Sequence, residues 1–498
     1  MTSCSQPLRG SLHPLTLLRQ QIARFFQARG YTPMDGPEIE AEWFNFDVLN
    51  MADDHFARTP DNTFYLIQSA AERYGELTTL EQQPEPHRPR SGLVLRAHTS
   101  PVQARTLLTQ SPPLYRFHIG RTYRPDALDA THSPVFNQLE GLAIDRHLTM
   151  DNLKRLLDEL AHSLFGQGVV TRLRPYEFAY AQPAAEIDIQ CNQCHGQSAT
   201  CPTCQGEGWI EWGGCGMVHR HVLINCGVDP DAFSAFSFGI GVERTLMLRD
   251  GLQDLQPIVN GDLTYASSRA MDLTTVEAEK SGAHDIDSQT DWTMATEGLV
   301  QVSTFPFTSV QALACVQPAT LSDTLATCWQ LRDPIEGIEP VMQPLLLPGL
   351  LTLWQQQGTA LPLHYGGIFE RARVFLPGRL PLAPSVATGH VPSDEQLALL
   401  HSAIPRQPFH LAALGRSKEQ LLTAMLAALA VRGIAVHCRV DDQVAWATSQ
   451  ATTLVTDAGD IVGHVGQLAT HVLTAWQLSE PLAAGEITMD ITLQEEKQ

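Results

Sequence analysis

Residues 115 to 145 read YRFHIGRTYRPDALDATHSPVFNQLEGLAID, a run dense in Arg, His, Asp, Gln and Glu where an ordinary strand pair alternates apolar with polar. Such density points to a ligand; the alternative is a solvated β-hairpin laced with surface ion pairs. Arg121 and Arg124 can neutralise phosphate or carboxylate. Gln138 and Glu140 stand two apart, so on a strand they share one face and offer acceptors to an ammonium group. An amino acid set beside a nucleoside triphosphate needs that combination. Transfer at phosphorus depends on in-line placement and charge neutralisation more than on a protein nucleophile.

The stretch resembles motif 2 of the catalytic subunit of phenylalanyl-tRNA synthetase, a class II aminoacyl-tRNA synthetase, whose usual form is close to GRvYRxDxxDATHxPxFxQxEG. GSLHPLTLLRQQIARFFQARGYTPMDGPEIE at 10 to 40 resembles the family's motif 1, and EWFNFDVLN and NTFYL follow in order. LRAHTSPVQAR at 95 to 105 is similar to its LRTHTSPVQxR segment, and FSFGIGVERTLML at 236 to 248 to its motif 3. The resemblance implies an α+β fold, an antiparallel class II sheet flanked by helices. It further implies that ATP binds with Mg²⁺ against Arg124, Asp126 and Arg244, with His132 completing the catalytic polar shell. His98, Ser100, Gln103, Gln138 and Glu140 would receive the amino-acid head, and Phe178, Tyr180, Phe236, Ser237 and Phe238 would surround the ring.

Composition sets independent bounds. A chain of 498 residues, 43% hydrophobic, can bury two sizeable cores. A formal charge of −21 argues against diffuse nucleic-acid binding, so any tRNA must meet a local patch built from arginine. HRPR at 87 to 90 is one candidate, a solvated Pro-rich loop the other reading. MTSCSQPLRGSLHP lacks an apolar signal core and no apolar run is long enough to span a membrane, so a cytoplasmic protein is expected.

Ten cysteines in such a chain are read for metal rather than disulfides. CNQCHGQSATCPTCQGEG pairs Cys191 with Cys194 and Cys201 with Cys204, the spacing of a closed, structural zinc site inside an insertion at about 188–208. CNQCH also matches a haem-attachment pattern, which leaves the second CxxC unexplained; a metal-free loop is the other rival. Some bacterial members of the resembled family carry a similar insertion. Cys4, Cys215, Cys226, Cys315, Cys328 and Cys438 read as core or surface thiols.

Pro14 can open a helix with Leu15, Leu18, Ile22, Phe25 and Phe26 on one face, and Gly30 can close it. A second amphipathic helix is expected over 151–166. The ring pocket departs from the family, whose segment close to RxRPSYFPFxEP reads RLRPYEFAYAQP here. Phe178 keeps the first aromatic, Tyr180 replaces the second, and Gln182 stands where a glutamate associated with magnesium or charge balance is usual. Ser237 replaces the alanine at the para end of the ring, either narrowing the pocket against tyrosine or exchanging neutrally.

Residues 1–265 form the expected catalytic domain, 266–296 a polar linker and 297–498 a second domain. LVQVSTFPFTSVQAL, LRDPIEGIEPVMQPLLLPGLLTLW and GGIFERARVFLPG resemble the catalytic-like module of the same enzyme's β subunit. RSKEQLLTAMLAALAVRGI reads as a helix with Leu421, Leu422, Met425, Leu426 and Leu429 inward, and a hairpin turns at Ala458 and Gly459. Gln343 replaces the usual arginine and no motif 3 signature follows, so this half is expected to be structural. The resemblance thus implies a minimal single-chain enzyme, monomer or homodimer, joining phenylalanine to tRNA(Phe), read mainly at the acceptor end. No coiled coil, editing domain or anticodon module is visible. Two alternatives stay open: an amino-acid-activating paralogue that loads a carrier protein or small molecule, and a non-catalytic regulator.

Overall fold

The computed structural model describes residues 10–67, 91–268, 285–317 and 328–490, except positions 192, 202, 379, 380, 382, 385, 387–389, 443 and 450. Two sheets of seven strands organise it. The first comprises β1 (Thr32–Pro33), β2 (Leu114–Tyr123), β3 (Val135–Asp145), β4 (Thr171–Phe178), β5 (Ala181–Gln190), β6 (Trp209–Val218) and β7 (Ser234–Gly241). The second comprises β8 (Leu299–Gln301), β9 (Gly367–Arg373), β10 (Phe409–Gly415), β11 (Val436–Asp441), β12 (Ala451–Thr456), β13 (Ile461–Gln467) and β14 (Ala483–Thr488).

Their spatial orders are β1-β2-β3-β7-β6-β5-β4 and β8-β9-β10-β14-β13-β12-β11, the same topology written twice. In each, the first pair is parallel and all others antiparallel.

Helices cover one face of each sheet. α1 (Pro14–Gln27) buries Leu15, Leu18, Ile22, Phe25 and Phe26 as expected, with proline in its first turn and His13 capping it. α2 (Pro101–Thr109) follows the HTS segment. α3 (Met150–Phe165) opens on a capping box of Thr149 and Asn152 and seals the first core with Leu153, Leu157 and Leu160. α4 (Val242–Asp250) follows β7 directly.

α5 (Ile286–Thr296) corrects the linker expectation over 266–296, whose residues 269–284 lie outside the described ones. It buries Ser288, Thr290 and Thr293 beside Trp292 and Met294, so small polar side chains that resemble a linker in sequence are covered by packing. α6 (Leu347–Gln357) precedes α7 (Lys418–Val431), and in the second sheet α5 and α7 follow the order in which α1 and α3 flank the strands of the first. α7 buries Leu421, Met425 and Leu429 with Ala424 and Ala428, and leaves Leu422 and Leu426 partly covered. Gly459, with φ of 91°, turns the β12–β13 hairpin.

The halves are stitched together. Leu66–Ile67 joins a small sheet with three strands of the second half, pairing Gln330 with Ile67. The Gln407 amide oxygen accepts the N–H groups of Glu38 and Ile39 at 2.8 and 2.9 Å. Among the described residues no helix is long and apolar enough to cross a membrane. The basic candidate at 87–90 lies outside the described residues.

Candidate active site

The open face of the first sheet carries a cavity of about 420 Å³. Its floor is β3, where Gln138 and Glu140 share one face. Gly239 on β7 lies opposite Glu140, and any side chain there would come within 2.4 Å of the Gln138 amide. Glycine therefore gives Gln138 its room.

The turn leading into α2 converges on Glu140. Thr99 Oγ1 donates to it at 2.6 Å, Ser100 Oγ at 2.9 Å, and the Gln103 amide also donates. Gln138 Oε1 accepts from the Thr99 N–H at 3.1 Å. Burial pushes the Glu140 carboxyl up to about 7, against the pull of those three donors. Gln103 lies behind Glu140 and outside the cavity wall, while Ser100 lines it.

His98 Nε2 meets the Asn45 carbonyl at 3.0 Å, and burial, with Arg124 nearby, holds the ring down at about 3. The neutral imidazole donates from Nε2, which leaves Nδ1 as an acceptor without a partner among the described residues.

Arg124 stands at the mouth, with Nε bonded to the Ala97 carbonyl at 3.1 Å and its guanidinium 5.3 Å over the Phe136 ring. Arg244, on α4, approaches Glu211 at 3.5 Å. Asp126 and His132 also line the cavity, His132 Nδ1 sitting 3.1 Å from Asp129. Arg121 does not join them: it turns to the second half and pairs with Glu370 at 3.0 Å.

On the ring side, Phe178 and Tyr180 stack with centroids 5.3 Å apart, and Tyr180 lies over His98 at 6.3 Å. Ser237 faces the cavity. Phe236 and Phe238 alternate with it on β7 and so point to the opposite face, which corrects their expected place around the ring. Phe236 is outside the cavity wall and in the helix-side core; Phe238 borders the cavity, but its ring stacks on Phe26 at 5.9 Å. Gln182 is exposed and away from the wall.

Two further carboxylates, which no motif in the sequence marks, stand in the wall: Glu186 on β5 and Glu211 on β6. Burial, reinforced by the charge of Glu211, raises the Glu186 carboxyl above its ordinary range. The alternation in AAEIDIQ, with Ile187 and Ile189 buried, was the available signal.

Apart from this cavity, Cys191, Cys194, Cys201 and Cys204 bring four sulfurs within 4.8 Å of one another. Cys191–Cys201 and Cys194–Cys204 are 3.8 and 3.5 Å apart, close to the ~3.8 Å expected of thiolates bound to zinc at about 2.3 Å in a tetrahedron. The knuckles repeat: His195 and Gln205 are left-handed, followed by Gly196 and Gly206 at φ of 74° and 87°. A Cβ on Gly206 would lie 2.3 Å from the Ala199 carbonyl oxygen.

Comparison with known proteins gives two family matches. Residues 2–269 match the class II tRNA synthetase core domain (F), and residues 267–489 the CLM domain of the phenylalanyl-tRNA synthetase beta chain. The first half is 47% identical over 269 residues to the phenylalanine–tRNA ligase alpha subunit of Streptomyces avermitilis, covering 53% of this chain and 71% of that one. The corresponding subunit of Thermobifida fusca is 43% identical over 270 residues, covering 53% and 68%. A solved pyrrolysyl-tRNA synthetase from Desulfitobacterium hafniense aligns at 15% identity with a TM-score of 0.34, covering 49% of this chain and 72% of that one, a likeness too low to carry an argument.

Proposed function

Because the chain belongs to the class II tRNA synthetase family, as a phenylalanine–tRNA ligase, we propose that it performs the whole reaction on one polypeptide. It activates phenylalanine with ATP and passes it to the 3′-terminal ribose of tRNA(Phe). The observation that carries this reading is the repeated sheet: two class II-like topologies on one chain, of which the first bears the cavity with Glu140, Arg124 and Arg244.

The phenylalanine ammonium group meets Glu140 and the free Nδ1 of His98, oriented through Gln138 and Ser100. Its ring enters beside Phe178 and Tyr180, with Ser237 at the far end. ATP lies at the other side, its base near Phe136, Arg124 at the α-phosphate and Arg244 toward the γ-phosphate, with Asp126 and His132 beside them. Glu186, held by Arg174, and Glu211, facing Arg244, are hard oxygen donors that still repel each other across the wall, and a divalent cation accompanying the nucleotide, Mg²⁺, would relieve that repulsion. Magnesium would supply charge neutralisation on the polyphosphate.

The amino-acid carboxylate attacks the α-phosphorus and pyrophosphate departs; the 2′-hydroxyl of the terminal ribose then attacks the carbonyl of the adenylate, takes the acyl group and releases AMP. Positioning and charge stabilisation provide the rate, without a protein nucleophile. The second half buttresses the interface that α1 builds, zinc holds the cysteine knuckles, and tRNA is read mainly at its acceptor end by a monomer or homodimer in the cytoplasm. Charging of tRNA(Phe) by the purified single chain, with no added subunit, tests the proposal; a requirement for a second polypeptide would refute it.

A further inference from the structure

A second cavity, of about 370 Å³, lies between the halves, walled by α1 and β2 on one side and by β9 and α5 on the other. Several of its acids are already engaged. Glu370 pairs with Arg121 at 3.0 Å and accepts from Thr304 Oγ1 at 2.6 Å. Asp291 receives Arg371 at 2.8 and 2.9 Å, and Asp287 faces Arg371 at 3.1 Å and Arg432 at 2.6 Å.

The donors are not all engaged. Arg19 bonds the Ile119 carbonyl at 3.2 Å and forms no ion pair among the described residues: Arg371 and Arg121 stand close enough to repel it, and Asp291 and Glu243 attract it only from beyond contact. Arg121 Nη1, Gln20 Nε2 and His13 Nε2 have no hydrogen-bond partner among the described residues. Neighbouring bonds fix their character. His13 Nδ1 accepts from the Leu15 N–H at 3.2 Å, which puts the proton of the neutral ring on Nε2. Gln20 Oε1 accepts from Trp292 Nε1 at 3.3 Å, which leaves its NH₂ group free. His118 adds an unpartnered acceptor, because its Nδ1–H is spent on the Met34 carbonyl at 2.8 Å. His13 and His118 are 2% and 5% exposed, so bulk water does not serve them. Unmatched buried donors beside an unpaired guanidinium favour an anion, and a protonated anion oxygen would also serve His118.

We propose that this cavity binds a small oxyanion of the phosphate class, with Arg19 and Arg121 supplying the charge and His13 and Gln20 neutral donors, so that the anion ties α1 to the second half. Inorganic phosphate and the larger pyrophosphate share this chemistry and are tested separately.

Each is titrated by calorimetry into the full chain and into an Arg19→Met variant, which keeps the aliphatic stem. Loss of one charge-assisted contact should weaken binding by about tenfold or more, for whichever anion is the ligand. Identical isotherms for both proteins, or no binding to the parent, would overturn the proposal. Should the variant not fold, crystals of the unaltered chain soaked in selenate decide it by anomalous scattering. A peak between Arg19 and Arg121 supports the site; peaks only beside Arg124 and Arg244, or none, refute it.

Discussion

Nη2 of Arg121 lies 3.0 Å from Oε1 of Glu370, a buried ion pair between the second strands of two sheets that share one topology. The residues are 249 positions apart. Removing one partner strands a charge in the interface, so Glu370→Ala should cost about 3–5 kcal/mol of stability. Equilibrium urea unfolding measures it, and a loss well below 1 kcal/mol would mean that the halves do not depend on this pair.

Arg124→Ala should lower phenylalanine-dependent pyrophosphate exchange by orders of magnitude while leaving the unfolding midpoint near that of the parent. Arg124 is open to solvent at the cavity mouth and, among the described residues, its side chain hydrogen-bonds only to a carbonyl, so little of the fold rests on that side chain. A near-parental exchange rate would remove this arginine from catalysis.

Glu140 should make amino-acid binding depend on pH. Its carboxyl is raised to about 7, so in the free protein it is largely neutral at pH 6 and largely charged at pH 8. The charged form holds an ammonium group, so KM for phenylalanine should fall as pH rises through 7, and binding should release a proton below that point. The same shift affects folding in the opposite sense. A carboxyl whose folded value lies above its unfolded value of 4.5 favours the native state at low pH and loses that contribution as pH rises toward 7. Glu140→Gln should abolish the step in KM; a step that persists would assign it to another group.

Replacing Cys191 and Cys194 together by serine should release about one zinc ion per chain and loosen the turns that carry the four cysteines, because structural metal sites couple binding to folding. Elemental analysis of the purified parent showing no zinc would overturn the assignment.

Ser237→Ala should admit p-chlorophenylalanine, since a small steric change in an apolar pocket is worth about 1–3 kcal/mol, on the order of tenfold or more in discrimination. Equal activation of that analogue by parent and variant would make the serine a neutral exchange.

Much of this was legible in the chain because the decisive signals are local. Gln138 and Glu140 share a face by the two-residue period of a strand, and the paired CxxC spacing brings its sulfurs together whatever surrounds it. The same period places Phe236 and Phe238 away from Ser237, yet the aromatic richness of the segment drew them into the ring pocket. Arg121 was unreadable for another reason. Its side chain is claimed by Glu370, a partner that no pattern near residue 121 announces. α5 resembles a linker in sequence because four of its covered residues, Ser288, Thr290, Asp291 and Thr293, are polar, and their burial depends on α7 and on Arg371, far along the chain. Glu186 and Glu211 were missed because each is an ordinary strand glutamate until β5 and β6 pair and bring both to the cavity.

The proposal that one chain both activates phenylalanine and charges tRNA can be checked in a single preparation. The most direct test is amino-acid-dependent pyrophosphate exchange across the twenty amino acids, followed in the same preparation by aminoacylation of purified tRNA. Exchange with phenylalanine and charging of tRNA(Phe), with no second polypeptide present, are the results expected of that proposal. Exchange without charging would contradict it in favour of carrier loading, and no exchange with any amino acid would contradict it outright.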